Sequence, residues 1–372
     1  MKKFGKVAAI VGIILAALVF IDYGFSVYCY NSAINKRYET YEPTSLKISD
    51  FPDLTSTRYQ FTSDKGQKLS GYLYSTEGTP KGIVVIAHGL GSGHNFYMEA
   101  ANFFAKHGYY AFAYDVTGND SSEGKSIGGI PQGVIDLDSA ITFVEESGNF
   151  PKIPIMLFGH SWGAYSACSV LEYHPEVKAV IAVSGCNESS DVFEVGARQE
   201  AGSLAALMVP CVKVHERIKF GKVAGATAMK GFENSDARVM VVHSEDDDVV
   251  GINYGYDIYY DKYKNDPRFS FMRLKDNGHS YVFDDTTYID EFNEEFAGWL
   301  DTLDYDYADR DNEEQFIKDK ADYIHKNLDR QRWSNKLDTR MFDQFVAFLD
   351  NDASSKSAKV SAGWMQVLDL GF

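Results

Sequence analysis

Cysteine is scarce. Cys29, Cys168, Cys186 and Cys211 are the only four in 372 residues, and none stands in C-x-x-C spacing. They are too few and too scattered for a disulfide framework, so buried free thiols are expected. The nine histidines form no H-E-x-x-H and no Cys/His cluster, and no metal site is expected. No glycine-rich segment has the G-x-G-x-x-G or G-x-x-x-x-G-K-[ST] order that cradles phosphate, and no organic cofactor is expected either. Positive charge is short as well. Thirty-six lysines and arginines against 53 acids leave a net charge of −17. That balance excludes nucleic acid as the main partner and argues against anionic lipid surfaces for the soluble part. Internal repeats and low-complexity tracts are also missing.

One long apolar run is present. Lys2, Lys3 and Lys6 precede Val7–Ile21, which carries no charge, and the apolar character resumes after Asp22 as far as Tyr28. A span over 7–28 suffices for a bilayer core of about 30 Å, which needs about 20 residues. Asp22 then lies near the outer end, where a charge costs less than at the centre. The lysines favour an N-terminus in the cytoplasm and a body outside. A cleaved signal, with the protein secreted, is the alternative because the run also has the length of a signal-peptide core. Gly24-Phe25-Ser26 is a poor cleavage site, however, and Tyr28 does not suit a lipoprotein cysteine at Cys29. Residues 1–30 are thus expected to be a membrane anchor or signal, and the polar residues 31–55 a tether.

Beyond the tether, Thr57–Phe61 and Lys68–Tyr74 alternate in polarity around "TSDKGQ", which predicts an antiparallel hairpin. "GIVVIAHG", "YYAFAYD", "IPIMLFG", "VKAVIAVSG", "ARVMVVHS" and "FSFMRLKD" are apolar runs that suit buried strands. Helical patterns separate several of them, at 96–107, 135–146 and 162–173, and another follows at 288–303. Strands alternating with helices imply a mostly parallel sheet covered by helices on both faces. The interval 187–236 is too long for a crossover and contains "AGSLAALMVPCVKVHERI", which predicts a helical cap. An acidic stretch followed by helical patterns at 315–330 and 338–350 predicts a helical C-terminal extension over 304–372. The expected core is therefore split into 56–186 and 237–303.

Within this layout "FGHSWGAYSA" places Ser161 at a sharp turn between a buried strand and a helix. Gly159 and Gly163 in G-x-S-x-G allow strand and helix to pack closely, with His160 and Trp162 flanking the serine. The helix N-terminus favours developing negative charge. A serine hydroxyl needs a base, and the base needs an orienting carboxylate. In a sheet of this kind both are sought after the last strands. There stand Asp246, Asp247 and Asp248, of which Asp247 is preferred, and His279 after Gly278. Their order, Ser then Asp then His, is the one this architecture requires. His160 and His88 belong to turns around the site, while His174, His215 and His325 fall on helical patterns. "AHGLGSGHN" supplies a loop in which His88, Gly89 and Gly91 support the Leu90 amide as one oxyanion donor. The Trp162 amide is the other.

With these residues the chain resembles the α/β-hydrolase family, in its monoacylglycerol lipase-like and serine aminopeptidase-like branch. The likeness covers about 57–303. It rests on "AHGLGSG", "YDVTGNDSSEG", "GHSWG", "HSEDDDVV" and "NGHSYVF". Asp115, Gly118, Ser122 and Gly124 keep the outline of the family's D-x-x-G-x-G-x-S-x-G element, from which Asn119-Asp120 depart. The family's H-G-x-x-D-x-x-V register, laid on 243–250, also selects Asp247.

The resemblance implies an α/β-hydrolase fold and a serine hydrolase cleaving small acyl esters through an acyl-enzyme. A peptidase or amidase on the same triad is the alternative, with Glu188, Asp191 and Glu194 as candidates to hold a free amine. A membrane-tethered binding protein on a hydrolase scaffold is a further reading. Apolar cap residues, "LAALMV" with Phe193, Phe220 and Phe232, suit an acyl substrate or the cap's own core.

Overall fold

The computed structural model describes residues 2–353; the last nineteen residues of the expected C-terminal extension lie outside the described residues. At its centre is one eight-stranded sheet in the order β1-β2-β4-β3-β5-β6-β7-β8. The strands are β1 (Thr55–Thr62), β2 (Lys68–Ser75), β3 (Ile83–Ala87), β4 (Tyr110–Tyr114), β5 (Ile155–His160), β6 (Ala179–Val183), β7 (Arg238–Ser244) and β8 (Phe269–Leu274). β2 runs antiparallel to both β1 and β4, and every neighbouring pair from β4 to β8 is parallel. β3, β5 and β6 are buried along their whole length. The β-branched and small apolar residues of β3 and β6, and the larger Met156, Leu157 and Phe158 of β5, give the apolar runs that a strand covered on both faces requires.

The α-helices are, in chain order, α1 (Lys2–Ala33), α2 (Met98–Lys106), α3 (Gln132–Glu146), α4 (Trp162–Ser169), α5 (Ser189–Ala201) and α6 (Ala205–Phe220). They continue with α7 (Ala228–Glu233), α8 (Tyr256–Tyr263), α9 (Thr287–Leu300), α10 (Glu313–Asn327), α11 (Arg330–Trp333) and α12 (Thr339–Ala353). One apolar core joins the sheet to α3, α4, α8 and the inner sides of α5–α7. The other joins it to α2 and to residues of α9–α12. The fold is thus the α/β-hydrolase architecture, with a helical insertion over one end and a helical C-terminal region. The polar, tyrosine-rich "YDIYYDKY" of α8 has no clear apolar period, and only the structure reveals it as a helix.

Two regions differ from the sequence expectation. Residues 31–55 are not a free tether. Ile34, Leu46, Phe51 and Leu54 are buried, Arg37 donates to the Ser122, Gly124 and Asp120 carbonyls, and the Trp333 indole donates to the Thr44 carbonyl at 2.7 Å. The segment is polar by composition, but a few apolar side chains at irregular spacing suffice to pin it down. Nor is the C-terminal region an appendage. Phe342, Phe345 and Leu349 of α12 are completely buried beneath the sheet, whereas α9 buries only Ile289 and Phe292. α12 therefore does much of the covering on that face.

This packing is fastened by a buried ion cluster. Lys336, in the C-terminal region, meets Glu99 of α2 with its ammonium, and its own N–H donates to Glu99 Oε1 at 2.8 Å. The Asp284 carboxylate lies 3.8 Å from the same ammonium, and all three residues are about 95 % buried. Burial pushes the Asp284 pKa up against the pull of Lys336. Removing the one cation leaves two carboxylates in a dry site. Lys336→Met is expected to cost about 3–5 kcal/mol, read by urea unfolding of the detergent-solubilised chain. A loss below about 0.5 kcal/mol would mean that the cluster does not hold the region in place.

Candidate active site

β5 passes into α4 at Ser161, whose backbone sits at φ 56° and ψ −119°. A non-glycine residue rarely takes that conformation, and it persists only where the surroundings enforce it. Two close approaches do so. A Cβ on Gly163 would lie 1.9 Å from the Ala87 carbonyl oxygen, and one on Gly159 would lie 2.3 Å from the Gly163 carbonyl oxygen. Only glycine lets α4 sit this near the ends of β3 and β5. The Ser161 N–H donates to the Val183 carbonyl at 2.8 Å, and the Ser161 carbonyl accepts from Ala164 and Tyr165 at 3.0 and 3.1 Å.

His279 follows β8 on a loop. Its Nε2 stands 2.9 Å from Ser161 Oγ and its Nδ1 2.8 Å from Asp247 Oδ2. Asp247 lies just beyond β7. Its Oδ1 accepts from the Val249 and Val250 N–H groups at 3.0 and 2.7 Å, and its Oδ2 also lies 3.2 Å from His243 Nε2. Burial disfavours the Asp247 carboxylate, but the hydrogen bonds from His243 and His279 and the His279 charge outweigh it. Its pKa is held well below the ordinary carboxylate value. An acceptor-only carboxylate at Nδ1 leaves Nε2 free to face the serine hydroxyl. Of the three adjacent acids only Asp247 faces the imidazole. Asp246 instead accepts from Ser244 Oγ at 2.5 Å and from the Gly278 N–H at 2.9 Å, bracing the loop that carries His279. Asp248 is exposed, and its carbonyl accepts from Gln199.

The "HGLG" loop abuts the serine. A Cβ on Gly89 would lie 3.5 Å from Ser161 Cβ, so the Leu90 amide is one residue from the site. Gly91 lies against the Tyr38 ring. His88 is buried, its Nδ1 2.8 Å from the Gly89 carbonyl and its Nε2 accepting from the Val116 N–H at 3.1 Å. Burial lowers its pKa, which suits a neutral brace. The Trp162 N–H belongs to the first turn of α4, where N–H groups have no acceptor within the helix. Its indole is fixed elsewhere, donating to the Ile130 carbonyl at 2.8 Å.

Sequence reasoning missed Tyr97. Its hydroxyl accepts from the Gly89 N–H at 2.9 Å and lies 2.8 Å from His160 Nδ1; His160 Nε2 in turn lies 3.0 Å from the His279 carbonyl. One hydrogen-bonded path thus links the "HGLG" loop, the serine turn and the histidine loop. Burial lowers the His160 pKa to about 3, keeping the ring neutral within that path. In the sequence Tyr97 is one aromatic among 53, and nothing local marks its hydroxyl. Among the described residues two groups of three His, Asp and Glu side chains lie close together, His94/Asp115/Asp120 and Glu145/His174/Glu176, and neither includes Ser161, Asp247 or His279.

Comparisons with known proteins agree with this architecture. Residues 78–229 match the family model described as serine aminopeptidase, S33. A monoglyceride lipase of Rattus norvegicus is 28% identical over 145 residues, 38% of this chain and 45% of that protein. A monoacylglycerol lipase of Mycolicibacterium smegmatis is 27% identical over 164 residues, 41% of this chain and 55% of that one. The chain spans about half the length of these curated relatives. Among solved structures, an esterase of Pyrococcus furiosus superposes with a TM-score of 0.53 at 18% identity, covering 71% of this chain and 96% of that one. This last likeness shows the fold. Together the matches support the resemblance to α/β hydrolases, on the monoacylglycerol lipase-like and serine aminopeptidase-like branch.

The depressed Asp247 pKa fixes a sign. Its stabilising effect is complete above the pKa of an unfolded carboxyl and is lost as pH falls through the lower folded value. The stability gap between wild type and Asp247→Asn is therefore expected to be widest above about pH 5 and to close in acid, as measured by chemical unfolding across pH. A gap that stayed constant or widened in acid would contradict the assignment.

Proposed function

We propose that this chain is a serine hydrolase that cleaves carboxylic esters of small acyl substrates. The observation that carries the reading is the continuous contact of Ser161 Oγ with His279 Nε2 and of His279 Nδ1 with Asp247. In this reading Ser161 Oγ attacks the ester carbonyl while His279 Nε2 takes its proton, and Asp247 holds the resulting imidazolium. The oxyanion forms against the Leu90 and Trp162 amides, with the N-terminus of α4 behind it. The C–O bond to the alcohol breaks as His279 returns the proton to the leaving oxygen, and an acyl-Ser161 remains. Water then gives its proton to His279 as it attacks the acyl carbon, and the acyl–Oγ bond breaks as His279 returns that proton to Ser161 Oγ, releasing the acid.

Ester cleavage is preferred to aminopeptidase action for a specific reason. Holding a free amine requires a carboxylate without a partner near the site. Glu188 already pairs with Lys213 at 2.5 Å, Asp191 accepts from the Glu188 N–H at 2.7 Å, and Glu194 accepts from Arg198 at 2.7 Å. The test compares p-nitrophenyl esters with aminoacyl p-nitroanilides. Wild type is expected to turn over the esters, with Ser161→Ala inactive and Asp247→Asn slowed by about 10⁴-fold. Turnover of the anilides alone would favour the peptidase alternative. Ester turnover that survived in Ser161→Ala would remove Ser161 from its role.

The one long apolar helix among the described residues is read here as a retained anchor, with the body outside. Its apolar part, Ala9–Ala33, is long enough to span a bilayer. Its far end is also part of the folded body. Ser26 and Tyr30 are completely buried, and the Tyr30 hydroxyl donates to Glu216 Oε1 at 2.5 Å and accepts from the Ile130 N–H at 3.0 Å. Processing near Gly24 would sever this helix beside its buried contacts. Mass mapping of protein purified from membranes is expected to recover an uncut peptide across residues 22–36. A new N-terminus within that stretch would support the cleaved signal.

A further inference from the structure

α6 of the cap has two apolar sides. Ala205, Met208, Val212 and Phe220 are buried against the body. On the other side Leu204, just before the helix, and Leu207, Val214 and Ile218 are 63%, 62%, 52% and 73% exposed. Steps of three, seven and four residues place these four on one ridge. A ridge of aliphatic side chains that size is unusual against water and marks a contact surface.

α1 identifies what the ridge meets. α1 and α6 pack side by side. Cys211 Sγ donates to Asp22 Oδ2 at 3.4 Å. Further along both helices, Tyr30 meets Glu216 and lies edge-on to His215 at 5.8 Å. The contacts advance in the same direction on each, so the helices run parallel. The N-terminal half of α6 accordingly accompanies the part of α1 before Asp22, where Val19, Phe20 and Ile21 are exposed.

The charges change at a matching level. Residues 202–212 carry none, and Lys213, Arg217, Lys219 and Lys222 follow. The one carboxylate among them, Glu216, faces inward onto Tyr30 and Ser189. This local cationic segment runs against the chain's overall −17, so whole-chain charge is a poor guide to this face.

We propose that α6 is a second membrane-contacting element, its N-terminal half entering the leaflet that holds the outer end of α1 and its basic half lying at the lipid headgroups. The proposal rests on the reading of α1 as a retained anchor. Leu207 and Leu204 precede Cys211 by about 6 and 10 Å of helix rise, the depth an interfacial helix reaches. Lys213 and Arg217 stay on the phosphate side of that boundary. The cap is thereby fixed against the bilayer at two points.

The test uses the full chain in nanodiscs of phosphatidylcholine with a minority of phosphatidylglycerol, doped with a phosphatidylcholine bearing a diazirine in its acyl chain. Photolysis is followed by peptide mapping. Label is expected in peptides from α1 and from 202–212, several-fold above α10, which carries the exposed Ile317 and belongs to the other core. The double substitution Leu204→Asp and Leu207→Asp is expected to abolish the α6 label and leave that in α1. Label in α1 with none above the α10 level in 202–212 would overturn this proposal and leave the anchor standing. Label in neither would overturn both. An α6 label unchanged by the two aspartates would also overturn it.

Discussion

The candidate site depends on how closely α4 is pressed against β3 and β5. At Gly163 there is no room for a methyl group beside the Ala87 carbonyl, and at Gly159 none beside Gly163. That approach forces the strand-to-helix turn to be sharp, and the sharp turn puts Ser161 at positive φ. Strain of this kind costs of order 1–3 kcal/mol and persists only because both flanking elements are buried and fixed. In return the serine oxygen stands clear of the backbone, beside the first turn of α4 and against the "HGLG" loop.

The residues facing Ser161 come from loops that would wander if left unlinked. Polar links between neutral groups hold them, from Gly89 to Tyr97 to His160 to the His279 carbonyl. His160 and His88 are both kept neutral by burial, so the frame adds little charge of its own. The exception is Asp247. Two backbone N–H groups and two imidazoles satisfy its carboxylate, which makes a buried negative charge tolerable directly behind His279. A far less evenly matched ion cluster, Lys336 with Glu99 and Asp284, holds the C-terminal region to the sheet on the other face.

Much of this was legible in the sequence, for physical reasons. Strands buried on both faces, such as β3 and β6, show as unbroken apolar runs, and all six segments named above correspond to strands. G-x-S-x-G between a run and a helix gave the position of Ser161, and chain order pointed to acids after β7 and a histidine after β8. What failed to show depended on contacts between distant residues. Among three consecutive aspartates, the register of the resemblance could prefer Asp247, but its contact with His279 and its N–H partners at 249 and 250, which set it apart from Asp246, appear only in the fold. Nothing local marked the Tyr97 hydroxyl. The 31–55 segment looked like a tether because its buried side chains lack a period, and α12 looked appended because nothing local says that it covers the sheet. The tie between Tyr30 and Glu216 joins residues 186 positions apart, beyond any local pattern.

The central claim is that Ser161 is the nucleophile, activated by His279 and Asp247. It is tested most directly by reacting the full chain with a fluorophosphonate and locating the adduct by peptide mass spectrometry. The account predicts one phosphonyl group per chain, on Ser161, with labelling greatly slowed in His279→Ala. An adduct on another residue, or no adduct on a folded chain, would contradict it.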